Sequence, residues 1–450
     1  SIAASTPLCV REGVYTMAAP NFTTASADSV IMLQTYTPPK EVIENMESEL
    51  DRRFSTMGPQ TITSLQEFRV MLQYEYGGSF GAGSTDGGNY PTGTGGAYNE
   101  GIMTPVEILL AITCTDLQKR IGSSGKTVIA VNPVDKLVAD AHTKMPKKRN
   151  QSLQGFNTGQ IATVSATYAG GGANPIALAT TPFGSRLIDI QDTVQFMSGD
   201  GNFTLRGSAV VVDAPKNGIG TGNQITVDNV PAGVVAGDYV MVNNVASLSP
   251  LFFNGIQYIV SPNTTGEYLG MDRSLSYVQS PAYNANSLLT LGIVETFLTR
   301  MQQALGNTTY NRDRPKNFWY GHNAQRASWN QLGFAIQQVT MPTGKAPKFD
   351  GVPDTFTMEM IAGVEWLLDT VAAVDKLYFM DRASMIRCRF NDAPQFVPGQ
   401  IEGIWFQRPS GSNTSSFKDA WLYDAVNYAS RNNWTSGVIY GLTIQSSFSN

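Results

Sequence analysis

Hydrophobic positions change period several times along this 450-residue chain, and each change marks an element. From Lys40 to Met57 apolar residues recur every three or four positions (Val42, Ile43, Met46, Leu50, Phe54, Met57), with Glu49 and Arg53 as an i,i+4 pair. The spacing predicts one amphipathic helix bracketed by Pro38-Pro39 and Gly58. Thr61 to Tyr76 alternates instead (Leu65, Phe68, Val70, Leu72), and Pro105 to Leu117 (Val106, Ile108, Leu110, Ile112) reads as its return partner. Together they predict a long two-stranded ribbon. Its tip is a lysine-free, glycine-crowded stretch from Gly77 to Gly101. A loop of this length has no core of its own and takes its order from something it lies against. An isolated two-stranded ribbon is marginal in water, which points the same way.

Helical spacing returns at Asn132-Pro133, with Asn as cap, Pro in the first turn and a stripe of Val134, Leu137, Val138 and Ala141. Pro146 predicts a bend or an end, with 147–153 continuing beyond a bend. Ile161, Val164, Ile176 and Ala179, broken by Gly170-Gly171-Gly172 and Pro182, read as strand, turn and strand. Between Asp192 and Arg273 come short strand-like runs at 194–196, 210–212, 225–227, 239–242 and 258–260. They predict an inserted β-barrel or sandwich. Ser287 to Leu305 is a helix closed by Gly306, a second helix covers Ala324 to Val339, and alternation at Val438, Tyr440, Leu442 and Ile444 ends the chain in a strand. The opening segment, Ser1 to Pro39, is rich in Ser, Thr, Ala and Pro without any period and reads as an extended arm.

Composition narrows the function. The chain is 42% hydrophobic, enough for real cores, but only 15% charged, so its surface is expected to be covered by something. A net charge of −5 without a dominant basic block excludes tight, sequence-specific nucleic-acid binding through a cationic face. Cys9, Cys114 and Cys388 form neither a CxxC pair nor a disulfide framework, and the chain shows neither a basic-then-apolar leader nor an apolar run near twenty residues. Folding in a reducing cytoplasm, without membrane insertion, is expected.

Chemistry-bearing motifs are thin. The two histidines, His142 and His322, have no ligand spacing. The 122–127 run GSSGKT lacks the leading Gly and strand of a phosphate loop, 218–222 is not a dinucleotide fingerprint, and Asp200-Gly201-Asn202 lacks a calcium loop's terminal Glu. No catalytic, cofactor or metal residue is expected. One cationic cluster remains, Lys144, Lys147, Lys148 and Arg149. It reads either as a solvated helix end that complements the dipole or as a sequence-independent contact to nucleic acid.

The order of these parts, together with Leu153-Gln154-Gly155, the 160–164 run QIATV, 181–187 TPFGSRL, Ala236-Gly237-Asp238, 254–259 NGIQYI, 271–274 MDRS and 361–364 IAGV, resembles the major capsid protein of tailed bacteriophages, the Hong Kong 97 fold. The resemblance implies an α+β fold: an N-terminal arm with amphipathic helix (1–60), an E-loop (61–121), a peripheral domain with a spine helix (122–191), an inserted β-rich module (192–275), an axial domain (276–430) and a C-terminal return strand of the peripheral domain (431–450). It implies that the E-loop tip, with Gly77, Gly78, Phe80, Tyr90 and Tyr98, lies across a neighbouring subunit. It further implies a non-enzymatic coat protein that assembles through hexamers and pentamers into an icosahedral shell around double-stranded DNA. Lys144, Lys147, Lys148 and Arg149 would then face that DNA without reading its sequence. The implied partners are other copies, scaffold, portal and cement proteins. The implied place is the virion capsid, assembled in the host cytoplasm, without cofactor or membrane.

Some members of that family weld the shell through an E-loop lysine, but here no lysine occurs from Thr61 to Leu117. That crosslink is chemically excluded. Two other readings stand beside the capsid: an encapsulin-like compartment shell, and a β-rich carbohydrate-binding surface protein using Trp319, Trp366, Trp405 and Trp421.

Overall fold

The computed structural model describes residues 49–57, 60–62, 65–75, 97–104, 106–115, 133–172, 174–215, 223–242, 252–306, 316–329, 360–362, 364–389, 394–397, 405–410 and 413–444, with positions 78, 92–93 and 95–96. The arm to residue 48, most of the glycine-rich tip, 122–127 and 218–222 lie outside them.

The first described elements are helix α1 (Glu49–Arg53) and strands β1 (Ser55–Met57), β2 (Gln60–Ile62), β3 (Leu65–Glu75), β4 (Ala97–Met103) and β5 (Val106–Thr115). β3 pairs antiparallel with β4, and β2 pairs with β3. The ribbon therefore exists, but its return strand is β4 and not β5. The helix expected over 40–57 is also corrected at its end. Ser55–Met57 is extended and pairs parallel with 386–388, Ser55 Oγ donating to Met385 O at 2.9 Å. A sheet edge that offers backbone partners outweighs three residues of helical spacing.

Helix α2 (Pro133–Leu153) is 21 residues long and continues through Pro146, so the proline does not end it. Ala141 and Met145 bury against the sheet strand that carries Leu422, and Leu137 and the half-buried faces of Ile108, Leu110 and Ile112 join them. After α2 come β6 (Gln160–Thr163), β7 (Pro175–Ala177), β8 (Thr193–Met197), β9 (Leu205–Asp213), β10 (Gln224–Val227) and β11 (Tyr239–Val242). These form one sheet in the order β6-β11-β8-β9-β10-β7 around an aliphatic core with Phe183 and Phe196. The sheet begins at Gln160, before the expected 192. It ends at Val242, because β6 and β7 find their partners in β11 and β10.

The short helix α3 (Ile256–Ile259), β12 (Glu267–Tyr268) and β13 (Met271–Asp272) belong elsewhere. Tyr268, Leu269 and Met271 pack under the ribbon. Two stretches singled out in the sequence meet at α3: Gln257 N–H donates to Gly155 O at 3.2 Å. A Cβ on Gly255 would stand 2.1 Å from that same oxygen, so only glycine fits this approach.

The remaining elements are β14 (Ala282–Ser287), α4 (Leu291–Leu305), β15 (Asn317–His322), β16 (Met360–Ile361), β17 (Val364–Asp369), β18 (Lys376–Asp381), β19 (Met385–Arg389), β20 (Gln395–Phe396), β21 (Phe406–Ser410), β22 (Asn413–Ser430) and β23 (Gly437–Leu442). A further helix begins at 323, and its described part ends at 329. Thr290 caps α4, its hydroxyl accepting from Ile293 N–H.

One sheet runs β14-β23-β18-β15-β17-β16. Alternation in β15 sends Phe318 and Tyr320 to one core and Trp319 to the other, where α4 covers it with Phe297. A second sheet is built on β22, which pairs with β5 over ten residues and with β19, β20 and β21. Two domain expectations thus change. β22, expected within 276–430, packs with the spine-like α2, and the final strand β23 joins the α4 sheet instead of returning to α2.

Candidate assembly surfaces

The ribbon has two unlike faces, set by the strand period. Phe68, Val70, Leu72 and Met103 are buried against Tyr268, Leu269, Met271 and Ile386. On the outer face Arg69 stands opposite Ile102 and Met71 opposite Glu100, with Tyr98 further along. Met71, Tyr98 and Ile102 are 65%, 54% and 48% exposed, around an Arg69–Glu100 ion pair at 3.1 Å. This is an exposed apolar stripe with one charge pair at its centre. Of the residues expected at the tip, Gly77, Phe80 and Tyr90 lie outside the described residues. Gly78 is exposed at φ +122°, and Tyr98 sits on β4 itself.

The basic cluster divides. Lys147 and Lys148 pair with Asp189 at 3.1 and 2.6 Å; Lys148 also meets Asp192, and Lys144 lies 3.8 Å from Asp192. Lys144 and Lys147 keep half-exposed side chains, with three ammonium groups shared between two carboxylates.

Arg149 corrects the expectation: it is buried, its two terminal nitrogens donating to Asp424 and Asp51 at 2.5 Å each. Arg387 and the Tyr428 hydroxyl also donate to Asp51, both at 2.9 Å, and Arg389 donates to Asp424 at 3.2 Å. Burial alone would lower the Arg149 pKa. Tyr428, Asp51 and Asp424 outweigh it and hold the group above its ordinary value. Burial, reinforced by Asp51, likewise pushes the Tyr428 hydroxyl well up.

This network locks α1, α2, β19 and β22 together. It was missed in the sequence, although a signal was there. Positions 141, 145, 149 and 153 share one helix face, and 420, 422, 424, 426 and 428 share one strand face. Arg149 and Asp424 each interrupt an otherwise apolar row.

The remaining candidates are structural. His142 packs edge-on to Phe396 at 5.3 Å. His322 is buried, its Nδ1 accepting from Ala324 N–H at 3.0 Å at the start of the 323–329 helix. Burial, then the nearby Arg186, pushes its pKa down to about 3. Burial also lowers Arg186 to about 10 and holds the neighbouring Asp375 above the usual carboxylate range.

Asp200 accepts from Ser198 Oγ at 2.6 Å and Asn202 N–H at 3.0 Å, closing a turn. Among the described residues no group of three or more His, Cys, Asp or Glu is placed to hold a metal, and no helix is long and apolar enough to cross a membrane. Trp319, Trp366 and Trp405 are buried in two separate cores, and Trp421 packs on Phe406 at 4.8 Å. They line no common surface, which removes the basis of the carbohydrate reading.

No family model matches this sequence, and no curated protein is similar to it. Among solved structures, the capsid asymmetric unit of cyanophage A-1(L) is similar over 87% of this chain and 90% of its own, at 12% identity and a TM-score of 0.46. The capsid of the native GTA particle is similar over 89% and 91%, at 9% identity and a TM-score of 0.43. The holo-SrpI encapsulin complex of Synechococcus elongatus is similar over 92% and 96%, at 8% identity and a TM-score of 0.38.

Proposed function

We propose that this chain is the major capsid protein of a tailed bacteriophage, assembling through hexamers and pentamers into an icosahedral shell around double-stranded DNA. The observation that carries the reading is the ribbon β3–β4, whose outer stripe of Met71, Tyr98 and Ile102 is apolar and exposed, with no cover among the described residues. Such a stripe is a surface made for a partner, and repeated in every copy it becomes a self-association surface. The body suits a shell tile: β22 spans about 60 Å at 3.3 Å per residue, backed by α2, with the α4 sheet as a second layer.

The α2 body with the β22 sheet is the peripheral domain, the α4 sheet the axial domain, and β6–β11 the inserted module. The role is structural and not catalytic, and its place is the virion. Lys144 and Lys147 are the side chains left to meet DNA, through charge alone. Scaffold, portal and cement proteins are its further partners, and host cytoplasm is where assembly occurs.

Electron microscopy of the purified chain, with its ultraviolet spectrum, tests the proposal. Closed shells that hold nucleic acid are expected. Shells around a protein cargo would favour the encapsulin-like compartment, and a monomer at all concentrations would refute a shell of either kind.

A further inference from the structure

Between α4, β14, β23 and the short turn at 433–435 lies a cleft of about 590 Å³, lined among others by Thr264, Gln279, Ser280, Arg300, Trp434 and Tyr440. Its size is that of a small-molecule site, ~300–1,000 Å³. Among the described residues that line it, Arg300 is the sole charge. The cation is held in place: Nη1 donates to Ala282 O at 2.8 Å and the guanidinium lies over the Tyr283 ring at 4.9 Å, with Nε and Nη2 left to donate. Ser280 is only 7% exposed, and its hydroxyl has no partner among the described residues. A buried hydroxyl of that kind is ordinarily satisfied by something bound. The Trp434 Nε1 already donates to Ser276 O at 2.7 Å, so the indole can offer a ligand only its faces. Gln279 Nε2 donates to Ser274 O at 3.1 Å, which leaves Oε1 as an acceptor.

We propose that this cleft binds a nucleoside monophosphate, free or as the phosphorylated end of a DNA strand. The phosphate meets Arg300 and the hydroxyls of Ser280 and Thr264, the base stacks on Trp434, and Gln279 Oε1 accepts from a base N–H. The anion is a phosphate and not a carboxylate for a chemical reason. A guanidinium fork satisfies both oxygens of a carboxylate and would leave Ser280 without a partner, whereas a phosphate has further oxygens for the hydroxyls. Stacking on an indole face needs a flat ring and tolerates any base, so the site selects the class of ligand and not its sequence. Every residue involved comes from one chain, and the inference stands whether or not the chain builds a shell.

The test is equilibrium dialysis of the unassembled full chain against thymidine monophosphate, thymidine, ribose phosphate and a short oligothymidylate with a terminal phosphate. Thymidine monophosphate should bind, and both thymidine and ribose phosphate should bind about tenfold more weakly, each lacking one of the two contacts. Arg300→Gln should weaken thymidine monophosphate about tenfold and leave thymidine unchanged, and Arg300→Lys should restore part of the loss. Retained thymidine binding shows that the cleft of the variant is intact. On the native chain, the photoreactive analogue iodouridine monophosphate should crosslink to Trp434, as peptide mass mapping will show. The oligothymidylate binding as tightly as the mononucleotide would assign the strand end as the source, and its exclusion would assign the free nucleotide. No binding of thymidine monophosphate at millimolar concentration, equal binding of thymidine, an equal loss of both ligands in Arg300→Gln, or a crosslink away from this cleft would each overturn the proposal.

Discussion

Asp51→Asn removes one charge from a site where three donors converge, Arg149 at 2.5 Å and Arg387 and Tyr428 at 2.9 Å. Arg149 and Asp51 are each about 97% buried as side chains, so solvent cannot replace the lost partner. Asp424 cannot take over, because it already serves both Arg149 and Arg389. Breaking such a buried pair by removing one partner costs about 3–5 kcal/mol. The exposed Arg69–Glu100 pair provides the contrast, worth ~0–1 kcal/mol and screened by salt.

Urea unfolding of the unassembled chain, followed by intrinsic fluorescence, reads the difference. With a slope of about 3 kcal/mol per molar urea, Asp51→Asn should lower the midpoint by about 1–1.7 M, and Glu100→Gln by no more than about 0.3 M. The larger shift should persist in half-molar salt. A midpoint for Asp51→Asn within error of the Glu100→Gln control would refute the claim that this network clamps the subunit.

Further outcomes follow from the same geometry. The His322 imidazole stays neutral down to about pH 3 in the folded chain but protonates near 6.5 when unfolded. His322 therefore stabilises the fold above 6.5, and that stability is lost as pH falls toward 3, by about 1.4 kcal/mol per pH unit. The raised Asp375 acts in the opposite sense, favouring the fold in acid and losing that benefit as pH rises through its folded value. His322→Asn, which retains a helix-capping acceptor for Ala324 N–H, should flatten the acid limb of a stability–pH curve by about one proton; an unchanged slope would contradict it. Gly255→Ala should cost ~1–3 kcal/mol through overpacking against Gly155 O, whereas Gly93→Ala, with nothing near it, should be silent in the same melt. Replacing Lys144 and Lys147 by glutamine should reduce DNA retention in shells without stopping their assembly, as nuclease-protected DNA per particle will report. Boiling shells in detergent should release a single band at the mass of one chain, since the ribbon offers no lysine; a ladder of covalent oligomers would count against that.

What could be read in advance was local. The stripes of α2 and α4 and the alternation of β23 announce themselves, because neighbouring residues alone set a helix or strand period. Partner choice is not local. β5 alternates just as a hairpin partner of β3 would, yet it pairs with β22, three hundred residues on, while the true return strand β4 hides at the end of a glycine-rich run with modest hydrophobicity. Arg149 shows the same limit at the site. Within 147–149 three cations look alike in composition, but the helix rotates by about 100° per residue, which separates two half-exposed or paired lysines from an arginine sealed between two aspartates contributed by residues 51 and 424. Charge alone gave no way to tell them apart; position on the helix did.

The ten-residue ladder between β5 and β22 also has a mechanical meaning. Antiparallel hydrogen bonds lie perpendicular to their strands, so a pull along β22 loads the ladder in shear. Many bonds then share the force, and none opens ahead of the rest as in a zipper. Were the chain the shell tile proposed above, tension along β22 would meet the direction in which these paired strands yield last.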